Sequence, residues 1–215
     1  AAAHARVHHL LAQAADVLVG AESIAALPHG ARVGTSAPRR AAQLLHARPD
    51  CSIVPFRGNV ATRLARLDAK EADATLLAAA GLSRLGRDGL GSVLDPQQWL
   101  PAPAQGAIGL ECRGDDKRVR DLLAAINHQP SRATVMAERA LLAALGGSCH
   151  SPIAVLCLAV GGNLRMHAAI FSPDGAHKVA GEAIFAVGDD DGPATLASDL
   201  LQRAPPAVAA LFEGA

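Results

Sequence analysis

Tyrosine is absent from the 215 residues, and four Phe with a single Trp leave aromatics at 2% of the chain, so the core must be built from Ala, Leu, Val and Ile. Base-stacking platforms are correspondingly scarce, which disfavours a single-strand nucleic-acid binder. Net charge is also lacking, because 20 basic residues balance 20 acidic ones. Nothing global marks a nucleic-acid or membrane-surface partner. The four cysteines, Cys51, Cys112, Cys149 and Cys157, lie 61, 37 and 8 positions apart, which offers no CxxC pair and no zinc spacing. No apolar run reaches the 18 or more residues of a spanning helix, and His4, Arg6, His8, His9 and Asp16 interrupt the alanine-rich beginning, which fits no secretory signal. A reduced, cytoplasmic protein without metal is expected, of one or two domains.

Charge is present locally. Between Arg32 and Arg87 ten basic residues face four acidic ones, a net +6 in that window. This part of the chain should meet an anion. The same stretch alternates short apolar runs with helical segments: Arg32–Gly34 ends a strand, 38–48 reads as a helix, Cys51–Phe56 as a strand, 59–71 as a helix and Ala74–Ala80 as a strand. That β-α-β-α-β order implies a parallel sheet with right-handed crossovers. Pro101-Ala102-Pro103-Ala104-Gln105-Gly106 then reads as a hinge, followed by an apolar run, Ala107–Cys112, taken as a strand. Two helices should cover 117–127 and 131–145, the second capped by Ser131. After Gly146-Gly147, three apolar runs (153–160, 164–171 and 179–187) joined by Gly-Gly-Asn and Pro-Asp-Gly turns imply an antiparallel sheet, and a helix follows from about Pro193. The Ala-rich beginning carries no strand signal and no initiating Met.

Two strand ends carry arginines where helix N-termini aim free N–H groups at anions. In Gly34-Thr35-Ser36-Ala37-Pro38-Arg39-Arg40, Thr35 or Ser36 can cap the helix; in Phe56-Arg57-Gly58-Asn59, Asn59 can cap the next, which projects Arg63 and Arg66. Together these residues can hold carboxylates or phosphates; equally, surface helices simply favour Arg. Cys149 stands in a flexible Gly-Gly-Ser-Cys-His-Ser-Pro loop that leaves a thiol accessible, with His150 a candidate local base, whereas Cys51, Cys112 and Cys157 fall in apolar strand runs where thiols are usually inert. Asp189-Asp190-Asp191 reads as a solvated turn or helix start, and His4, His8 and His9 lack a carboxylate partner for a metal site.

The segments Val33-Gly34-Thr35-Ser36 to Arg39-Arg40, Phe56-Arg57-Gly58-Asn59-Val60 with Thr62-Arg63-Leu64, DATLLAAAGLSRL (73–85), LPAPAQGAIGLEC (100–112), Ala137-Glu138-Arg139 and the Gly-Gly-Ser-Cys loop resemble, in order and spacing, the porphobilinogen deaminase (hydroxymethylbilane synthase) family. The resemblance implies a transferase of tetrapyrrole biosynthesis. Such an enzyme joins four porphobilinogen units head to tail, releasing ammonia, on a dipyrromethane primer held by a cysteine thioether. It implies Cys149 as the primer-bearing thiol, Ser36, Arg39, Arg40, Arg57 and Gly58 as further primer contacts, Arg63 and Arg84 as substrate-binding residues, and a monomer whose partners are porphobilinogen and the growing oligopyrrole.

The implied architecture is a periplasmic-binding-protein-like α/β domain (13–104), a hinge and returning segment (105–128) and a small α+β domain (129–215), with 1–12 a remnant of a first domain. Two local departures are Ala37-Pro38 in place of Ser-Leu and Ser148 in place of a glycine. A larger one concerns the catalytic acid. The family's His-Ser-Met-Lys-Asp-Val-Pro motif, whose aspartate assists ammonia loss and stabilises the cationic azafulvene, does not occur, so no catalytic residue is identified. A fragment or degenerate enzyme that is inactive alone is expected; the alternative is a noncatalytic oligopyrrole- or anion-binding remnant.

Overall fold

The computed structural model describes residues 13–212; the expected remnant at 1–12, with His4, His8 and His9, lies outside them. Strand β1 (Asp16–Val19) opens the described chain, with all four residues buried. No strand was expected there, yet Val17 and Val19 on either side of Leu18 form a short β-branched run that fits a sheet interior. The chain continues through β2 (Arg32–Gly34), α1 (Pro38–Ala47), β3 (Ser52–Val54), α2 (Val60–Asp68), β4 (Ala74–Ala78), α3 (Ala79–Arg84) and β5 (Ser92–Val93). The sheet order is β3-β2-β4-β1-β5.

Strands β2, β3 and β4 are parallel, as the alternating pattern requires, but β1 runs antiparallel to both β4 and β5, so the sheet is mixed. The expected strand 74–80 stops at Ala78 because α3 begins there. Leu18, Val33, Leu44, Leu76 and Trp99 form the core on one side of this sheet. Each fully buried Leu contributes about 1.5–3 kcal/mol.

Beyond the connecting turn, the expected strand 107–112 is not seen; residues 107–112 make no ladder among the described residues, and Ile108 and Leu110 are 73% and 58% exposed. Cys112 is therefore exposed, not buried in a strand. A lone apolar segment gains nothing from extended geometry without a partner edge. Helix α4 (Lys117–Ile126) follows, its N-cap Asp116 accepting from Val119 N–H. Helix α5 (Gln129–Ala144) starts before the expected Ser131, with His128 at the N-cap and Pro130 in the first turn, where a missing N–H costs nothing. Ser131 instead pairs its hydroxyl with His128 Nδ1 at 2.8 Å.

The C-terminal unit holds the expected meander, β6 (Ile153–Val160), β7 (Asn163–Phe171) and β8 (Lys178–Ala186), in order β6-β7-β8, all antiparallel. Helix α5, helix α6 (Asp191–Arg203) and the short α7 (Pro206–Ala209) cover one face with Leu141, Leu145, Leu196, Leu200 and Val208. Asp189 starts α6 by accepting the N–H groups of Asp191 and Gly192, which accounts for the acidic run as a helix start. The chain thus combines an α/β unit with a smaller α+β unit. They meet where Ala42 of α1 packs on Ala154, Ala169 and Phe171, small side chains that let helix and sheet approach closely. Gly175, in the β7–β8 turn, sits against the end of α1 with φ +73°, and a Cβ there would lie 2.4 Å from His46 N. His46 Nδ1 donates to Gly175 O at 2.9 Å.

Candidate functional site

The arginines divide into a buried pair and an exposed group. Arg39 and Arg40 occupy the first turn of α1, where Pro38 suits the helix start, and both point inward onto Asp16 of β1. Asp16 is fully buried and accepts from six donor atoms: two of Arg39, two of Arg40, Trp99 Nε1 at 2.9 Å and Gln105 Nε2 at 2.9 Å. Burial pushes its carboxyl pKa up, but the two guanidiniums outweigh that and hold it well below the usual carboxylate range. The alternative of arginines that merely decorate a surface helix does not describe this pair. They are 4% and 8% exposed, and one carboxylate balances only one of the two charges.

One positive charge therefore remains in excess in a region of low dielectric. Among the described residues, the buried Arg39 Nε has no hydrogen-bond partner. Arg63 lies close enough to feel Arg40: burial first, then the Arg40 charge, lowers its pKa. An anion arriving at this end of the sheet would relieve both.

Arg63 projects from α2, whose N-cap Asn59 accepts from Thr62 N–H at 2.9 Å as expected. Its Nε donates to Gly58 O at 3.0 Å. Gly58 adopts φ +100°, and a Cβ would touch Thr62 at 3.0 Å, so this turn after β3 requires glycine. Arg57 is exposed beside it, and Arg66 stacks over Phe56 at 4.2 Å while pairing with Glu71. Ser36 does not cap α1. Its hydroxyl donates to Phe56 O at 2.8 Å, and Thr35 Oγ1 instead accepts from Ala37 N–H, so the two arginine-bearing turns are tied together. Arg84, at the end of α3, is exposed and donates to Gly106 O at 2.8 Å.

Cys149 stands apart from these residues, at the exposed tip of a turn between α5 and β6. Ser151 Oγ accepts from Ser148 N–H, and Ser148 Oγ accepts from His150 N–H, so the serine that replaces a glycine helps to shape the turn. Among the described residues no hydrogen bond joins His150 to Cys149, which gives no support to a local base. Cys51 and Cys157 are buried, and burial first, then the Glu138 charge, pushes the Cys157 thiol up to about 12. Among the described residues no cluster of three or more metal-binding side chains occurs, and no helix is long and apolar enough to cross a membrane.

Two buried acids were missed in the sequence reading. Asp16 was hidden because its strand was not recognised; the Asp followed by Val-Leu-Val was the available signal. Glu138 lies on α5, where its Oε2 accepts from Ala104 N–H at 2.7 Å and its Oε1 from Cys157 N–H at 2.9 Å. Burial raises its pKa to about 7, against those two bonds. It borders a largely apolar cavity of about 990 Å³ formed by the 101–110 segment, α4, α5 and β6, with Arg84 also on the wall; Arg57, Arg63 and Cys149 do not line it.

Residues 6–121 match a family model described as porphobilinogen deaminase, dipyromethane cofactor binding domain, and residues 132–202 match porphobilinogen deaminase, C-terminal domain. The chain is 56% identical over 195 residues to the porphobilinogen deaminase of Sphingopyxis alaskensis, covering 90% of this chain and 61% of that protein. It is 48% identical over 180 residues to that of Xanthomonas oryzae pv. oryzae, covering 82% and 59%. With that of Paracoccus denitrificans it shares 47% over 194 residues, covering 88% and 62%. The chain spans about three-fifths of the length of these relatives.

Proposed function

The chain belongs to the porphobilinogen deaminase family, and we propose that it supplies the primer-binding and carboxylate-binding part of a hydroxymethylbilane synthase, a transferase of tetrapyrrole biosynthesis. One observation carries the reading: two buried arginines share a single carboxylate, so the α/β unit holds an unbalanced cation beside Arg63 and near a second arginine-bearing turn. Pyrrole units bearing acetate and propionate groups supply the missing anion. Each charge-assisted bond is worth about 1.5–3 kcal/mol when partly desolvated.

These residues fit a dipyrromethane group. Among the described residues Arg39 Nε is an unpartnered buried donor, Arg40 follows it in the first turn of α1, Ser36, Arg57 and Gly58 lie on the two neighbouring turns, and the exposed Cys149 thiol serves in this reading as the attachment point. When bound, that group supplies a nucleophilic pyrrole terminus for chain extension. The protein's own residues bind and orient. Arg63 and Arg84 neutralise the carboxylates of incoming porphobilinogen and of the growing oligopyrrole, the α1 pair holds primer carboxylates, and Cys149 anchors the chain. Neither buried acid is placed to transfer a proton to substrate, because Asp16 is enclosed by six donors and Glu138 by two backbone N–H groups.

The family's Lys-Asp motif does not occur in these 215 residues, and in this reading the chain by itself binds without catalysing. A noncatalytic oligopyrrole- or anion-binding role is the second reading; the same unbalanced cation supports it. Incubation with porphobilinogen or preformed hydroxymethylbilane, followed by intact-mass and peptide mapping, tests the proposal. A dipyrromethane adduct on Cys149 is expected; an adduct on Cys112, the other exposed thiol, overturns the assignment.

A further inference from the structure

The turn from Leu100 to Gln105 is held almost residue by residue from the two units in alternation. From the α/β side, Leu100 O accepts from Arg39 Nη1 at 3.2 Å and from Gln43 Nε2 at 2.9 Å. From the C-terminal side, Pro101 O accepts from Val155 N–H at 2.9 Å, and Ala104 N–H donates to Glu138 Oε2. Gln105 then returns to the α/β side. Its Oε1 accepts from Arg39 Nη2 at 2.8 Å, while its Nε2 donates to Ala14 O at 2.6 Å and to Asp16 Oδ1 at 2.9 Å.

Ala104 itself has φ +58°, a conformation that L residues with a Cβ rarely adopt without external restraint. Glu138 supplies that restraint. Its second oxygen is committed to Cys157 N–H, so the carboxylate ties the turn to β6. Leu145, the residue that caps the end of α5, is buried in one core with Ala137 and Leu141, and Gly147 N–H donates to Leu142 O as the chain leaves for the Cys149 turn. Glu138 and the Cys149 loop therefore belong to the same packed C-terminal unit.

We propose that Glu138 is a positioning residue: by gripping Ala104 it sets Gln105, and through Gln105 it fixes the Arg39 guanidinium relative to the loop that carries Cys149. The role rests on the reading of Arg39 and Cys149 given above, but the coupling it describes is testable without primer or activity. Both facing groups are donors, and the ionised carboxylate, the form present above about pH 7, offers each of them an oxygen. Glu138→Gln turns an NH2 toward one of two backbone N–H groups, so one of them loses its acceptor.

Trp99 is the only tryptophan of the chain and donates to Asp16 Oδ2, on the far side of the turn from Glu138. Its indole N–H resonance reports the Arg39 cluster unambiguously. In the Glu138→Gln variant of the full chain, the indole resonance should shift and its exchange with solvent should accelerate about tenfold, as expected for loss of one net hydrogen bond. An unchanged indole with faster exchange at Cys157 N–H overturns the proposal, since Glu138 would then serve only β6. If that variant does not fold, Gln105→Ala reads the same coupling from the other end. Exchange at both Ala104 and Cys157 N–H should rise, and no change at either overturns it. Failure of the primer reading would leave these signals intact, whereas failure of the coupling would leave the Cys149 adduct intact.

Discussion

At the residue scale, Asp16 and Glu138 are opposite solutions to the burial of a carboxyl group. Asp16 stays ionised because two guanidiniums are brought to it; Glu138 has only backbone dipoles and is pushed up to about 7. Removing Asp16 leaves two buried cations without a counter-charge, so Asp16→Ala should cost about 3–5 kcal/mol in urea unfolding. A loss below about 1 kcal/mol would show that the arginines can turn out to solvent. Glu138 gives the reverse sign with pH. Between the ordinary 4.5 and about 7 the unfolded chain has released the proton that the folded protein keeps, so stability falls as pH rises through that window and then levels. The fall attributable to this group is about 3 kcal/mol at most. Asp16 is ionised in both states across the same window and adds no slope. The groups facing Glu138 through its hydrogen bonds are the Ala104 and Cys157 amides, and the Cys157 thiol stays protonated there. Urea midpoints at pH 5 and pH 8 should therefore differ more in the wild-type chain than in Glu138→Gln; equal differences would place the raised pKa elsewhere.

At the element scale, the contact of α1 with the β7–β8 turn sets how the two units meet. Gly175 fits only without a Cβ, because its positive φ and the closeness of His46 N leave no room, so Gly175→Val should separate turn and helix. The expected result is loss of about 1–3 kcal/mol, the usual cost of overpacking, together with loss of the close approach between His46 and Phe171, visible in the ring-current shift of the His46 imidazole protons. An unshifted His46 would mean that the contact does not depend on the turn. The Pro-Asp-Gly sequence announced this turn, and the apolar runs between turn signals announced all three strands of the C-terminal sheet, because each signal is local. What the sequence did not disclose depends on partners distant in the chain. Val17 and Val19 become a strand only between β4 and β5, Arg39 and Arg40 are buried only because Asp16 lies behind them, and 107–112 pairs with no strand among the described residues. Arg57, Arg63 and Gly58 were legible because the strand–turn–helix unit that carries them is contiguous.

At the scale of the whole molecule, the cationic α/β unit and the unit that carries Cys149 meet at the contact of α1 with the C-terminal sheet and through the 100–105 turn, which fits the binding and anchoring roles proposed above. Leu replacement of Arg57 or Arg63 in a full-length relative-length enzyme should therefore reduce primer assembly or elongation far more than Leu replacement of Arg165 or Arg203, which pair on the surface with Glu182 and Asp199. Lys should not restore either position, because a point charge lacks the bidentate geometry of guanidinium. For the 215-residue chain alone, the proposed reading leaves out a proton transfer worth about 10²–10⁴-fold in rate, and Ile108, Leu110, Leu122 and Ile126 are exposed. Purified alone, it should form no measurable hydroxymethylbilane and should exchange the amides of 107–112 within the dead time of a manual experiment. Supplying in trans an N-terminal segment that carries the Lys-Asp motif should restore turnover and slow that exchange, and changing only the motif's Asp to Ala should abolish turnover while leaving the exchange slow. Turnover by the chain alone would transfer the acid's role to one of its own carboxylates, and Glu138→Gln would then have to remove it if the group poised near 7 were the one responsible.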